Sequence, residues 1–501
     1  MTRRSNPTRF AGPIGHAVPR AVPRAIPRAI PGAVQRAIPG VVASAIAGIT
    51  LMSAAAPAVG AGFQINETSA SGLGNAFAGG AAAADDASTM WSNVAGITRL
   101  RTREVVGALH LVKPSIKFGN EASAPAAGQA LGGDGGEAGG VNPVPNLYLV
   151  VPLDRSWSIG LGVTAPFGLV TEYDSDWIGR FQALKSGIRT VNVNPGVAWR
   201  PVGNVSLGLG LNAQHITAEF TNQVNYSAAL LSAVAQNGIA PGSPAFNAIV
   251  LATPGLETRA RIKGSDTAFG WNVGVLWEID AQTRLGAHYR SGIDYRIRGS
   301  ATFANPVPVV PVPLAATVGA LSAGLNTRAL FDSDVRADVK LPAIVNLSFF
   351  QTLNPRWDVM ADAQWTQWST IETLTFVRGD GTLLQSTPEN FKDSWKLAIG
   401  ANYRHGSDLL WRGGVAYDQS PVRTVDRTPR LPDADRLWLT AGLQYAVHPK
   451  LKLDIGAAYV RVKKAPIDSS GSPPGSAAYG RLNGRYASNT VIVSAQATYA
   501  F

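Results

Sequence analysis

The stretch Thr490-Val491-Ile492-Val493-Ser494-Ala495-Gln496-Ala497-Thr498-Tyr499-Ala500-Phe501 decides the fold. One face reads Val491, Val493, Ala495, Ala497, Tyr499, Phe501; the other reads Thr490, Ile492, Ser494, Gln496, Thr498, Ala500. A repeat of two is a strand with two different faces. Val205, Leu207, Leu209 and Leu211 repeat it against Ser206, Gly208, Gly210 and Asn212. So do Trp271, Val273, Val275, Trp277 and Ile279 against Asn272, Gly274 and Glu278. The stretches Leu437–Tyr445 and Leu451–Tyr459 follow the same rule. The polar faces are rich in Gly, Asn and Gln, as a crowded polar interior requires.

Connections between the strands alternate in length. Short turns are expected near 153–156, 200–204, 280–283, 352–356, 404–408 and 447–450. Long loops are expected near 119–143, 169–188, 221–257, 299–334, 378–390, 419–434 and 464–488. Short turns at one end and long loops at the other predict an all-β, transmembrane antiparallel β-barrel, and thirteen such connections join 14 strands. Only a closed barrel satisfies every backbone group of a strand in hydrocarbon. Trp199, Trp277, Trp357, Trp411, Tyr417, Tyr445 and Tyr499 near strand ends fit interfacial girdles. Phe501 supplies the terminal aromatic expected to engage the barrel assembly machinery.

Composition narrows the field from the other side. Of 501 residues, 46% are apolar and only 15% charged, and there is no cysteine. That excludes disulfides, thiolate metal sites and thiol catalysis. Seven arginines and no acid in residues 1–61 supply most of the net charge of +11, so the remainder carries no nucleic-acid footprint. Residues 1–61 join an Arg/Pro-rich leader to an apolar run, Val41 to Met52, and then to small residues through Ala61. This is the pattern of a secretory signal peptide with a long n-region.

Residues 62–100 do not alternate; they are Gly- and Ala-rich and are expected to form a small N-terminal helical hatch plugging the lumen, with the barrel at 101–501. A dinucleotide loop is excluded because Phe77 stands where its third glycine belongs and no strand precedes it. Parity points Glu278, Arg284, His288, Arg290, Asp358, Asp362, Lys396, Arg412, Asp418 and Asp454 inward, either to clamp the plug or to meet a ligand headgroup. Arg284, His288, Arg290 and Lys396 are the headgroup candidates. His288 lacks a second ligand at metal-binding spacing, so no metal and no cofactor is expected. Two long loops are apolar, around Leu230, Leu231 and Val234 and around Val310 and Leu314. They offer either a greasy platform or a pair of loops packed on each other. In Ala165-Pro166-Phe167-Gly168 a proline that cannot join the ladder interrupts or ends the third strand.

Together these residues resemble the FadL-type outer-membrane transporters of long-chain fatty acids and other hydrophobic compounds, the family that includes OmpP1 and TodX. Gly62-Phe63-Gln64-Ile65-Asn66-Glu67, Ser71 to Gly79 and Ala84-Asp85-Asp86-Ala87 are similar to the family's hatch. Trp271 to Glu278 with Tyr289-Arg290-Ser291 is similar to its mid-barrel hairpin. Gly413 to Val422 followed by Leu431-Pro432-Asp433-Ala434-Asp435-Arg436-Leu437-Trp438-Leu439 carries the most specific likeness. The resemblance implies a 14-stranded barrel with a hatch. It also implies capture by loops, transfer to a lumenal pocket, hatch rearrangement and sideways exit at the third-strand kink. One departure is that Asn93-Val94-Ala95 stands where the family has Asn-Pro-Ala, which puts the local hatch turn in question.

The resulting expectation is passive, monomeric uptake of a long-chain fatty acid or similar hydrophobic compound across a bacterial outer membrane. Outer-membrane lipid and lipopolysaccharide surround the protein, and no nucleic acid is involved. Aromatic or aliphatic hydrocarbons are the alternative cargo. Rival readings are a general porin or adhesin, which lacks a reason for the plug and the apolar loops, and an outer-membrane lipase. The lipase needs a nucleophile beside a base, and His288 and Ser291 fall on opposite faces of their strand.

Overall fold

Within the membrane a strand must find every hydrogen bond on its neighbours, and the computed structural model shows how this chain does so. It describes residues 61–469 and 476–501; the signal-peptide reading of residues 1–61 lies outside the described residues except for Ala61. Twenty strand segments form one antiparallel sheet: β1 (Glu104–Asn120), β2 (Asn142–Pro152), β3 (Trp157–Thr164), β4 (Gly168–Glu172), β5 (Lys185–Val202), β6 (Val205–Asn225), β7 (Glu257–Glu278), β8 (Thr283–Arg290), β9 (Ile293–Ala304) and β10 (Ser333–Leu341). The sheet continues through β11 (Ile344–Asn354), β12 (Trp357–Thr366), β13 (Thr373–Arg378), β14 (Leu383–Pro388), β15 (Ser394–His405), β16 (Leu409–Asp418), β17 (Arg436–His448), β18 (Leu451–Val462), β19 (Ala465–Asp468) and β20 (Asn483–Ala500). Six junctions, β3/β4, β8/β9, β10/β11, β12/β13, β14/β15 and β18/β19, are breaks within a single barrel strand. The wall therefore has 14 strands, as the alternating connections predict. β1 pairs with β20 from Glu104↔Ala500 to Asn120↔Gly484, which closes the sheet on itself.

The expected turns and long loops fall at opposite ends of the barrel with one exception. The connection expected as a loop over 378–390 is a tight hairpin between β13 and β14, turning at residues 379–382. Gly381 there takes φ 90° and Asp380 caps the Thr382 amide. Asp-Gly turn chemistry, not loop length, governs that segment.

The apolar side of the wall changes faces partway along its longest strands. In β6, Leu207, Leu209 and Leu211 are exposed outward while Ser206, Gly208, Gly210, Asn212 and Gln214 face the lumen. Beyond residue 214 the faces trade chemistry: Ile216, Ala218 and Phe220 point inward and His215, Thr217 and Glu219 point out. β7 does the same, with outward Phe269, Trp271, Val273, Val275 and Trp277 replaced nearer the loops by Arg259, Arg261 and Lys263. The lower half of the wall is thus greasy outside and polar inside, as a bilayer demands. The upper half is polar outside and greasy inside, like a barrel in water.

The plug occupies the polar half. It consists of helices α1 (Ala70–Gly74), α2 (Gly80–Ala83) and α3 (Thr89–Ser92) and a 3-10 turn, Val94–Arg99. Such short helices have little stability of their own, so side chains from the plug and the wall hold them. Ser69 Oγ caps α1 at Gly72 N (3.0 Å). Asp86 accepts from Ser71 Oγ (2.8 Å) and from Gln496 Nε2 of the wall (2.9 Å). Asn93 Nδ2 donates to the carbonyls of Ala81 (2.7 Å) and of Val275 in β7 (2.9 Å), and its Oδ1 caps Ala95 N (3.0 Å). That cap shows how the hatch turn forms without the family's proline: the asparagine does the work, and Val94 is fully buried beside Met90 and Ile97. Wall glycines allow the close approach. A Cβ at Gly208 would lie 2.2 Å from Ala95 N, and one at Gly274 would overlap the Asn93 side chain.

We expect Gly208→Val to leave the barrel closed but to push the plug off the wall, at a cost of roughly 1–3 kcal/mol of overpacking. The variant should keep its heat-modifiable mobility on a denaturing gel, show raised conductance in planar bilayers, and lose plug residues faster to protease.

Candidate functional site

Where the strands turn their apolar face inward they enclose a cavity. Ile216, Ala218 and Phe220 of β6, Ile262 of β7, Ile297 of β9, Val335, Ala337, Val339 and Leu341 of β10, and Leu374 and Phe376 of β13 make its wall. Leu169, Ile188, Ile371, Phe391 and Leu431 complete the wall, and Phe63 from the plug forms part of its lining. The empty volume, open mouth included, is about 870 Å³. Phe63 is caged by Trp368 (ring centroids 4.8 Å apart, edge on) and Phe167 (6.0 Å).

Three charged residues line the cavity. Arg336 turns its side chain to the outside; Arg430 and Glu389, from loops on the open side, are buried. Arg430 is poorly satisfied for a buried guanidinium. Its hydrogen bonds, to Lys185 O, Ser186 Oγ and Asn222 Oδ1, measure 3.3–3.4 Å, and it lies 5.3 Å from the Phe220 ring centroid. Burial pulls its pKa down to about 10, so it stays cationic at neutral pH. Burial pushes the Glu389 carboxyl up to about 8, against the pull of Arg430, so at neutral pH it is mostly the neutral acid. The cavity therefore offers one buried cation with hydrogen-bonding capacity to spare in an otherwise apolar wall.

The third-strand interruption adjoins this cavity. β3 stops at Thr164 and β4 resumes at Gly168, while β5 runs on unbroken opposite them. Phe167 stays bonded to Thr190 of β5, and the plug takes the ladder positions at Pro166 and Gly168: Ile65 N donates to Pro166 O (2.8 Å) and Gly168 N donates to Phe63 O (2.8 Å). The leading segment of the plug thus completes the wall at its break, and the same segment carries the cavity-lining Phe63.

The cationic candidates from parity stand elsewhere. Arg284 Nε donates to Ala82 O (3.0 Å) and its guanidinium covers Phe350. Arg290 Nη2 donates to Trp91 O (3.1 Å) and stacks 3.7 Å from the Trp91 ring centroid. His288 is buried beside Asn272, and Lys396 lies 4.9 Å from the ring centroids of both Phe77 and Trp438. All four meet the plug or the polar space around it, which Asn66, Asp85 and Asp86 also line; none lines the apolar cavity. Glu67, at the heart of the plug, has no hydrogen-bond partner for either carboxylate oxygen, and burial lifts it to about 7.

The apolar loops fold into helices α4 (Tyr226–Gln236), α5 (Pro244–Ala252) and α6 (Val312–Arg328). Leu230 and Val234 are fully buried in one cluster with Leu231, Val310 and Leu314, so the loops pack on each other. Val307, Val309, Val312 and Leu251 remain more than four-fifths exposed. Sequence reading missed Glu389, Phe391 and Arg430. A signal was present, because inward positions of β6 change from Asn212 and Gln214 to Ile216, Ala218 and Phe220, and this marks where the lumen turns apolar.

Comparison with known proteins agrees with this geometry. Residues 50–501 match the family described as outer membrane protein transport protein (OMPP1/FadL/TodX). The chain is 32% identical over 429 residues to the long-chain fatty acid transport protein of Escherichia coli O6:H1, covering 84% of this chain and 90% of that one. It is 29% identical to outer membrane protein P1 of Haemophilus influenzae, covering 83% and 89%. The crystal structure of a Pseudomonas aeruginosa FadL homologue matches 88% of this chain and 100% of its own, with a TM-score of 0.77 and 27% identity. The toluene transporter TodX of Pseudomonas putida shares the fold, with a TM-score of 0.62 at 16% identity, over 88% of this chain and 100% of its own. A closed barrel, a plug built into its wall and a match across nearly the whole chain place the protein in the outer membrane protein transport family of OMPP1, FadL and TodX.

Proposed function

We propose that the protein carries long-chain fatty acids from the outside of the cell through its lumenal cavity and releases them sideways at the third-strand break. One observation carries this reading: an apolar cavity with the single under-satisfied buried cation Arg430 in its wall. Such a site matches an amphipathic acid, with the chain against Ile216, Phe220 and Phe376 and the carboxylate on Arg430. Each buried CH₂ contributes about 0.8 kcal/mol, so a chain moves downhill from water to cavity to bilayer without an energy source in the barrel. The names of the fatty acid transporters among its relatives support the same cargo. Toluene transporters share only the fold, and a hydrocarbon leaves Arg430 without a purpose.

Release follows from the shared segment. A chain filling the cavity displaces Phe63 from its cage with Trp368 and Phe167. Moving Phe63 withdraws the backbone that pairs with Pro166 and Gly168, and the gap opens toward the bilayer. In this reading residues 1–61 include the export signal, Phe501 addresses the chain to the assembly machinery, and a single copy suffices. Phe501 is half exposed and held by its N–H to Arg103 O (2.9 Å).

Arg430→Gln should weaken palmitate binding about tenfold, by the loss of one charge-assisted hydrogen bond, and leave toluene binding unchanged. Equilibrium binding to the detergent-solubilised protein measures both, and labelled palmitate uptake by cells lacking their own transporter tests the reading as a whole. Equal uptake with and without the gene would refute it.

Glu389 gives a pH signature. Its carboxyl ordinarily titrates near 4.5 and is raised to about 8 in the fold, so between these values the native state holds a proton that the unfolded chain does not. Stability contributed by this group is therefore greatest below about pH 4.5 and falls as pH rises toward about 8. Palmitate affinity should fall over the upper part of that window, because ionised Glu389 competes for Arg430. Both slopes should flatten in Glu389→Gln, read as thermal midpoint and palmitate Kd against pH.

A further inference from the structure

Above the lipid-facing band, the outer surface of the wall carries a charge arrangement that the transport path does not use. Arg298 of β9 and Arg336 of β10 are directly opposite each other in register, both side chains exposed on the outside of the barrel. Like charges directly across a ladder destabilise it. Neither guanidinium has a hydrogen-bond or ion-pair partner among the described residues. Ser265 of β7 completes their row, and Lys263 and Ser300 sit in the next row up. Acids are nearby but occupied or aligned elsewhere. Glu219 holds Arg261 (2.9 Å), Asp294 holds Lys340 (3.5 Å) and Asp338 stands across from Arg296. Asp334, across from Ser300, is the acid next to the pair, and it forms no ion pair.

Height identifies what meets this pair. On β7 the outward aromatics begin at Phe269, four residues from Ser265. At about 3.3 Å per residue and a tilt of about 40°, Ser265 of the arginine row lies about 10 Å above Phe269 along β7, with the charged rows Arg296/Asp338 and Asp294/Lys340 below the pair on β9 and β10. Long arginine side chains reach down from there to the headgroup layer. On the face with the long loops, that layer is the outer leaflet of the outer membrane, whose glycolipid carries phosphates on its sugar headgroup. Two neighbouring guanidiniums, with Ser265 and Lys263 alongside, fit one phosphate in bidentate fashion and remove the cross-strand repulsion.

We infer that Arg298 and Arg336 form a binding site for a phosphate of lipopolysaccharide, fixing one glycolipid against the outside of the barrel at strands β7, β9 and β10. This rests on the outer-membrane placement of the barrel and not on the identity of its cargo.

The test is native mass spectrometry and thermal denaturation of the detergent-solubilised protein with three probes: lipid A bearing both phosphates, lipid A with both removed, and inorganic phosphate. Bisphosphorylated lipid A should bind and raise the midpoint, and Arg298→Gln/Arg336→Gln should weaken it about tenfold or more. The control Arg259→Gln/Arg328→Gln, which removes two exposed cations elsewhere, should change it less than twofold. Equal loss in the control, equal binding of dephosphorylated lipid A, or equal protection by inorganic phosphate would overturn the inference. Palmitate binding to the wild type is followed in parallel. Its loss from the wild type, with lipid A binding intact, would count against the transport reading alone.

Discussion

Hydrocarbon offers no partner to a peptide group, and this constraint shapes the whole molecule. It forces the strands to close on themselves, from Glu104↔Ala500 around to Asn120↔Gly484. It also explains why the third-strand break is not left bare. Where Pro166 cannot donate and β3 stops, Ile65 and Phe63 of the plug supply the missing backbone groups. The plug is therefore both a stopper and a piece of the wall.

The interior divides into two solvents. In the lower half, directional bonds such as Asn93 to Val275 O and Gln496 to Asp86 hold the plug, and glycines of the wall let plug backbone come into contact. In the upper half the same strands turn isoleucine, valine and phenylalanine inward to line the cavity. Phe63 stands at the boundary between the two. An event in the greasy half can be transmitted to the polar half because one residue belongs to both.

Much of this is legible in the sequence. The alternation in Val491 to Tyr499 and in Leu207 to Leu211 gives outward and inward faces correctly, and turn spacing gives 14 strands. The Gly/Ala-rich composition of residues 62–100 points to a plug. Pro166 marks the strand break, but not that Phe63 and Ile65 fill it, since that contact joins residues about a hundred positions apart. Inward parity finds Arg284, His288, Arg290 and Lys396 but cannot say whether each faces plug or cavity, because depth along the strand decides that. Arg430 and Glu389 lie in loops where parity does not apply, and only the fold brings them together. The 379–382 turn is legible in Asp380-Gly381, whose turn chemistry outweighs the spacing of the connections.

The reversal of faces in β6 and β7 has a consequence for how such a protein can diversify. Residues that fit it to its bilayer, Leu207 to Leu211 and Phe269 to Trp277, and residues that shape the cargo space, Ile216 to Phe220 and Ile262, share strands but not depth. Enlarging or trimming Ala218 alters which molecules fit without touching the surface that anchors the barrel. Adaptation to a new nutrient is thus uncoupled from membrane compatibility, and one scaffold can be retuned by a few inward substitutions in the part that stands in water.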